Sequence, residues 1–572
     1  RIYYDQATST PYIEQTLREL ASGSPTGKVT IIAHSNGGLV TKALLQRLGD
    51  AETASLVDKI IFVGVPQSGA PQALGALLFG DKEALPGKPY LPDVLISKQL
   101  SRKLAENSPM AYHLMPSSSY FEDVQDPNHS VISFSGTRLY ETERTAYGPT
   151  LDTTTERDDF LLAREGGRAK PAYADLTVAN ILNENLISYA NETHSSLDAW
   201  VPPSSVTLYQ VAGWGVDTVS GIDFYDEQKV LGATLGHKQQ YRPVFVEDGD
   251  GVVPIPSSLM TAAAPNVHNY WVNLKEASSI FSEYDHGNIF EFSALRSAIG
   301  EVIQNGTSTS EALLTYQPEN LSPRKKLIFY LHSPLTLGIY DDDGNYTGLN
   351  EDGSVSEEVP GTTYGEFGDV KYLIAPTGTE YELVLNGQSD GVFSLDIQEQ
   401  QGNFSTTTTF ADVPTTASTT VRLTITNGVA DASSLSVDTD GDSKADIEIV
   451  PVAGETVQYV PPSSAIEEEE EQSGSSGSMK RSTQATVAVT SPLSVISAPS
   501  IVAAVPNVPN PRVLGAEITE TEVPHAEASV SDQVLPLNQT ASVYNALSPL
   551  TEWLKTLLYN IWSVFLNILN FL

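Results

Sequence analysis

The stretch "KVTIIAHSNGGLV", residues 28–40, constrains this chain more than any other. Val29 to Ala33 form an apolar, largely β-branched run that reads as a buried strand. Gly37 and Gly38 follow at once, and from Leu39 to Leu48 the apolar positions recur at helical spacing. A strand that turns directly into a helix belongs to alternating α/β architecture. Three further runs read as strands of the same sheet: "KIIFVGV" (59–65), "VTLYQVAG" (206–213) and "NYWVNL" (269–274). Residues 81–200 are irregular and rich in Ser, Pro, Tyr and Asn, the texture of an excursion covering a sheet edge or acting as a cap; 176–200 within it reads as helical.

Ala33-His34-Ser35-Asn36-Gly37 has the form of a nucleophile elbow, in which small flanking residues let the backbone turn sharply and leave a serine hydroxyl exposed. Alanine stands where the first glycine of G-x-S-x-G is usual. Such a hydroxyl needs a base, and the base needs an orienting carboxylate. In α/β-hydrolases these follow in the order serine, acid, histidine, on loops after later strands. "VEDGDGVVPIPSS" supplies Asp250, with Asp248 as the alternative acid, and "SEYDHGNIF" supplies His286 on a glycine-flanked loop. A turn aspartate or a solvated loop histidine would account for either residue alone. Their order and context favour a triad of Ser35, Asp250 and His286. The oxyanion of a tetrahedral intermediate needs two N–H donors. The Asn36 main chain offers one. The other is expected on a loop after an earlier strand, in sequence that precedes Arg1, because the 34 residues before Ser35 are too few for the strands and helices that should lie there, and "RIYYDQ" reads as the inside of a folded domain.

These stretches, with "FVGVPQSGAPQALGAL" (62–77), "SPMAYHLMPSSSYF" (108–121), "DGDGVVP" and "HGNIF", resemble the lecithin:cholesterol acyltransferase-like lipases. Gly64-Val65-Pro66-Gln67-Ser68-Gly69-Ala70-Pro71 fits the family's G-T-P-x-x-G-[AT]-P turn, with Val65 for threonine. The resemblance covers about residues 1–300. It implies an incomplete α/β-hydrolase acting on ester-linked acyl chains without a catalytic cofactor. Ser35 would attack the carbonyl, His286 would carry the proton and Asp250 would orient it. The acyl group would pass to water, or to an alcohol in an O-acyltransferase. A surface binding or adhesion protein with a vestigial hydrolase domain is the rival of another class.

Beyond the hydrolase region (1–318), the segment 319–460 alternates strictly between apolar and polar from residue 327 onward. Leu335, Leu337 and Ile339 are followed by Tyr381, Leu383 and Leu385, then Phe393, Leu395 and Ile397, then Val421, Leu423 and Ile425. This pattern predicts an antiparallel β-sandwich with one wet face, similar to accessory domains of exported bacterial enzymes. In "VDTDGDSKADIEIVP", Asp438, Asp440, Asp442 and Asp446 have the spacing of a hard-cation loop, so a structural calcium is expected there. Residues 461–547, rich in Pro, Ser, Val and Ala, read as a disordered linker. Residues 548–572 read as an apolar helix and candidate membrane anchor, Leu550–Leu572 being long enough to span a bilayer.

Acidic residues outnumber basic ones 71 to 32, a net charge of −39, which repels phosphate backbones and argues against nucleic acid. The absence of cysteine excludes disulfides, thiolate metal sites and a cysteine nucleophile. An extracellular or cell-surface location is expected, with an acyl-ester or lipid substrate.

Overall fold

The computed structural model describes residues 12–459 and 488–489, except for 82–96, 125–129, 137, 166, 232–233, 247, 279–283, 317–324, 333, 351 and 402–403. The opening "RIYYDQ", the candidate anchor at 548–572 and most of the expected linker lie outside the described residues. Within that linker, Ala488–Val489 pair antiparallel with Thr456–Gln458.

Among the described residues, seven strands serve the hydrolase region: β1 (Val29–His34), β2 (Val57–Val63), β3 (Ile132–Phe134), β4 (Thr207–Trp214), β5 (Thr218–Leu231), β6 (Thr234–Val246) and β7 (Val267–Asn273). β1, β2, β4 and β7 stand side by side in that order, all parallel. They are the four runs expected to share one sheet. Helix α1 (Tyr12–Gly23) precedes β1, and α2 (Gly37–Leu48) follows it after a two-residue turn. Ile60, Phe62, Val206 and Leu208 pack with Ala33, Leu44 and Leu45 in one apolar cluster, and Ile61, Val63, Tyr209 and Val211 pack with Leu295 and Ile299 in another. The runs lack a polar alternation because apolar neighbours cover both faces.

β5 and β6 make a long antiparallel hairpin, which sequence patterning had not indicated, and β3 from the 81–200 excursion joins it in parallel. The helix expected at 176–200 runs from Glu184 to Leu197, capped by the Asn183 side chain. Gln46 of α2 donates to its Ser196 carbonyl at 2.6 Å.

From Lys325 onward two antiparallel sheets face each other. In spatial order one comprises Thr363–Phe367, Val370–Pro376, Lys325–His332, Gly391–Gln401, Phe404–Thr415 and Thr456–Gln458. Only the last pair of these, Phe404–Thr415 with Thr456–Gln458, is parallel. The other sheet is built around Gly338–Asp341, Tyr381–Asn386 and Thr420–Ile425. The alternating residues expected to point inward are buried together between the two sheets.

The expectation of one wet face needs correction for the first sheet. In Lys325–His332, Leu327, Phe329 and Leu331 enter the sandwich core, but Ile328 and Tyr330 on the opposite face pack into a cluster with Phe134, Phe160, Phe224, Tyr241 and Phe245. The hydrolase excursion and hairpin therefore cover what would have been the solvated face, and hydrolase and sandwich belong to one compact unit. A polar seam runs through this contact. Tyr225 Oη donates to Asp396 Oδ2 at 2.7 Å and lies 2.8 Å from His332 Nε2. Arg242 pairs with Asp223 at 3.1 Å, and Glu227 accepts from Gln240 at 2.6 Å and from Ser394. Buried polar groups paired in this way avoid the desolvation penalty of an orphaned charge.

Candidate active site

β1 delivers Ser35 into the left-handed region, with φ of +52°. A side chain is strained there, and such strain persists only where the surroundings hold it. Two contacts do so. The Ser35 N–H donates to the Val63 carbonyl at 3.2 Å, continuing the β1–β2 ladder past its end. Gly38, in the first turn of α2, lies so close to Val65 that a β-carbon there would stand 2.2 Å from Cγ1. The chain can reverse only because both sides of the elbow are this tight. Ser35 itself stays partly exposed.

His286 Nε2 lies 2.9 Å from Ser35 Oγ, and Nδ1 lies 2.8 Å from Asp250 Oδ2. Asp250 is completely buried. Its second carboxylate oxygen accepts the Val252 and Val253 N–H groups at 3.1 and 2.7 Å, and its carbonyl accepts the His286 N–H at 2.7 Å. With Nδ1–H donated to the carboxylate, Nε2 is left as the acceptor for the serine proton. The structure thus brings Ser35, His286 and Asp250 into one hydrogen-bonded chain, the arrangement that lets a neutral hydroxyl attack a carbonyl.

It is Asp250 rather than Asp248 that meets the imidazole; the Asp248 carbonyl accepts the Ile255 N–H at 2.9 Å. Asn36 is the N-cap residue of α2, and its side chain makes no capping bond. The Asn36 main chain stands directly after Ser35, at the positive end of the helix, where anionic charge is favoured. The second oxyanion donor was expected in sequence preceding Arg1, so the described residues do not bear on it.

Sequence reasoning took "GVPQSGAP" as a family turn without seeing its work. Gln67 is fully buried: its Nε2 donates to Gln210 Oε1 (2.5 Å) and the Ser258 carbonyl (2.6 Å), and its Oε1 accepts from Thr261 at 2.8 Å. Ser257 Oγ donates to the Gly69 carbonyl at 2.6 Å. These bonds fasten the turn after β2 to the segment just beyond Asp250. His34 and Gly64, which the sequence shows only as members of their motifs, both stand against the His286–Asp250 pair. The adjacency of β1 and β2 was the signal that could have found Gly64.

His194 belongs to another place. Its Nδ1 meets Asp198 at 2.7 Å and its Nε2 meets the His113 carbonyl at 2.6 Å, while Ser117 donates to the same Asp198. Both ring nitrogens serve packing of the 184–197 helix. Tyr209, Trp214 and Trp200 are core residues.

In the sandwich, the carboxylates of Asp438, Asp440 and Asp442 can bring one oxygen each within 4.8 Å of one another. Asp446 turns away to accept from the Thr439 N–H and hydroxyl at 2.8 and 2.5 Å. Asp438 accepts main-chain N–H groups from Gly441 and Ser443, and Lys444 pairs with Asp442 at 2.8 Å. The oxygen donors suit a hard cation, with three carboxylates in place of the expected four. Among the described residues no helix is long and apolar enough to cross a membrane.

Residues 10–291 match the profile of the family described as Lecithin:cholesterol acyltransferase. Two solved structures are similar. The crystal structure of the Tle4-Tli4 complex aligns at 16% identity over 46% of this chain and 57% of that one, with a TM-score of 0.26. Bacillus licheniformis lipase BlEst2 in its propeptide form aligns at 11% identity over 73% and 83% of the two chains, with a TM-score of 0.22. The chain therefore spans little more than half, 57%, of the first of these. No curated protein matches.

Proposed function

We propose that the chain, whose residues 10–291 match the lecithin:cholesterol acyltransferase family, is a serine esterase of the lipase type, cleaving acyl esters of lipids. The observation that carries this reading is the hydrogen-bonded line from Asp250 through His286 to Ser35 Oγ. His286 Nε2 takes the hydroxyl proton as Oγ bonds to the ester carbonyl carbon. The Asn36 N–H faces the negative oxygen that develops. Collapse expels the alcohol, which leaves with the proton from His286, and an acyl-serine remains. Water, deprotonated by the same imidazole, then releases the acid and restores Ser35. Throughout, Asp250 stabilises the imidazolium without taking its proton.

An alcohol can replace water in the second half, the transfer that the family's description names. Product analysis with and without added long-chain alcohol separates the two outcomes. Labelling by a fluorophosphonate ester tests the shared chemistry. Labelling of the chain that disappears in Ser35→Ala is expected. Equal labelling of both, or none of the folded wild type, would overturn the reading; the latter favours a binding protein with a vestigial hydrolase layer.

Two features apart from the chemistry complete the proposal. The Asp438, Asp440 and Asp442 loop holds a structural calcium, and the protein works at or outside the cell surface, as its exported-type sandwich suggests.

A further inference from the structure

Ser35 and Asp250 hold the His286 ring at two points, Nε2 and Nδ1. Two points define a line, and hydrogen bonds to a carboxylate and a hydroxyl tolerate some rolling of the ring about it. Something must fix the ring plane. The His34 imidazole lies against that ring, with centroids 4.7 Å apart and planes tilted by 35°. Phe290, from the segment just after His286, meets the His34 ring edge-on at 5.6 Å and 87°. His34 is also hydrogen-bonded to the His286 main chain.

Resting on the function proposed above, we infer that His34 is a positioning residue: its flat ring is the wall that keeps the His286 imidazole in line with Ser35 Oγ. Apart from the bond to the His286 main chain, the side chain does no evident polar work of its own. Its Nε2 is buried and has no hydrogen-bond partner among the described residues. A protonated ring would leave a buried N–H unsatisfied and would set a positive charge beside the imidazolium that forms at His286. Burial, and then the neighbouring His286, push His34 below the ordinary histidine range; Asp250 acts in the opposite sense. A flat, neutral ring is what the position uses.

The test compares three variants on a chromogenic short-chain ester. His34→Ala removes the wall, and His34→Gln fills space without a flat ring. Both are expected to lower kcat roughly 10- to 100-fold, as small misalignments of a catalytic group do, with KM nearly unchanged. His34→Phe restores a flat face and is expected to recover kcat to within a few-fold. The His286 Nδ1–H resonance should broaden in the first two and sharpen in the third, a signature that general loss of stability would not reproduce. Wild-type kcat in His34→Ala and His34→Gln, or no recovery in His34→Phe, overturns the inference. Ser35→Ala, assayed alongside, keeps the two levels apart: if it retains full activity the proposed function itself fails, whereas an inactive Ser35→Ala with unaffected His34 variants removes only the positioning role.

Discussion

Gly64 lies against the Asp250–His286 pair with φ of +55°, where a β-carbon would stand 2.7 Å from Asp250 Oδ2 and 3.2 Å from His286 Nδ1. The turn leaving β2 thus provides both the backbone conformation and the empty volume in which carboxylate and imidazole meet. Gly64→Ala is expected to separate that pair and lower kcat about 100-fold or more. The positive φ adds roughly 1–2 kcal/mol of destabilisation. Kinetics and thermal melting on the same preparation check both effects; unchanged kcat would mean that the pair tolerates displacement.

Asp250 and Asp248 stand two positions apart, and it is Asp250 whose carboxylate meets the imidazole Nδ1. Asp250→Asn presents an amide to Nδ1 and favours the wrong tautomer, so kcat should fall by about 10⁴. Asp248→Asn should leave most of the activity. The reverse ranking would transfer the orienting role to Asp248.

At the seam between hydrolase and sandwich, burial above all, with Asp396 assisting and the Gln240 hydrogen bond opposing, pushes Glu227 from 4.5 up to about 7. The unfolded chain releases this proton near pH 4.5 and the folded chain only near pH 7. The contribution of Glu227 to stability is therefore full below pH 4.5, declines across the window to pH 7 and then levels off, a loss of about 3 kcal/mol at most. Glu227→Gln cannot ionise. Its Tm relative to wild type is expected to rise between about pH 5 and pH 8. A Tm difference independent of pH would show that Glu227 does not titrate in this range.

For the acidic loop of the sandwich, millimolar calcium is expected to raise Tm and a chelator to reverse the rise. The effect should vanish in Asp440→Asn, while ester hydrolysis persists in that variant. Identical melting with and without chelator would leave the loop as a turn closed by its own N–H bonds.

Much of this architecture was legible because its driving patterns are local. The parallel strands show as unbroken apolar runs such as Ile60–Val63, and the sandwich as strict alternation from Tyr381 to Leu385 and from Val421 to Ile425. Chain order was enough to nominate Ser35, Asp250 and His286, since the positions that follow successive strands converge at one end of a parallel sheet. The β5–β6 hairpin was hidden for the opposite reason. Its buried positions include Asp223 and Glu227, and charges at inward positions disguise an alternating strand. They are tolerated because partners arrive from far along the chain: Ser394 donates to Glu227 across 167 positions. The wet face assigned to the sandwich failed similarly, since Tyr330 and Tyr372 look like surface aromatics until the hairpin covers them. His34 was visible only as a letter within a motif; its neighbour Phe290 arrives on the loop that carries His286.

The aromatic contact between hydrolase and sandwich has a consequence for anyone wishing to engineer this protein. Phe79 stacks on Tyr241 at 3.6 Å, and Phe367 from the sandwich closes over both rings at 6.2 and 6.3 Å. A gene cut after residue 318 would strip that cover and leave a sticky aromatic floor facing water. The α/β half is therefore no portable cassette: fusions, swaps and expression trials must carry the later β strands with it.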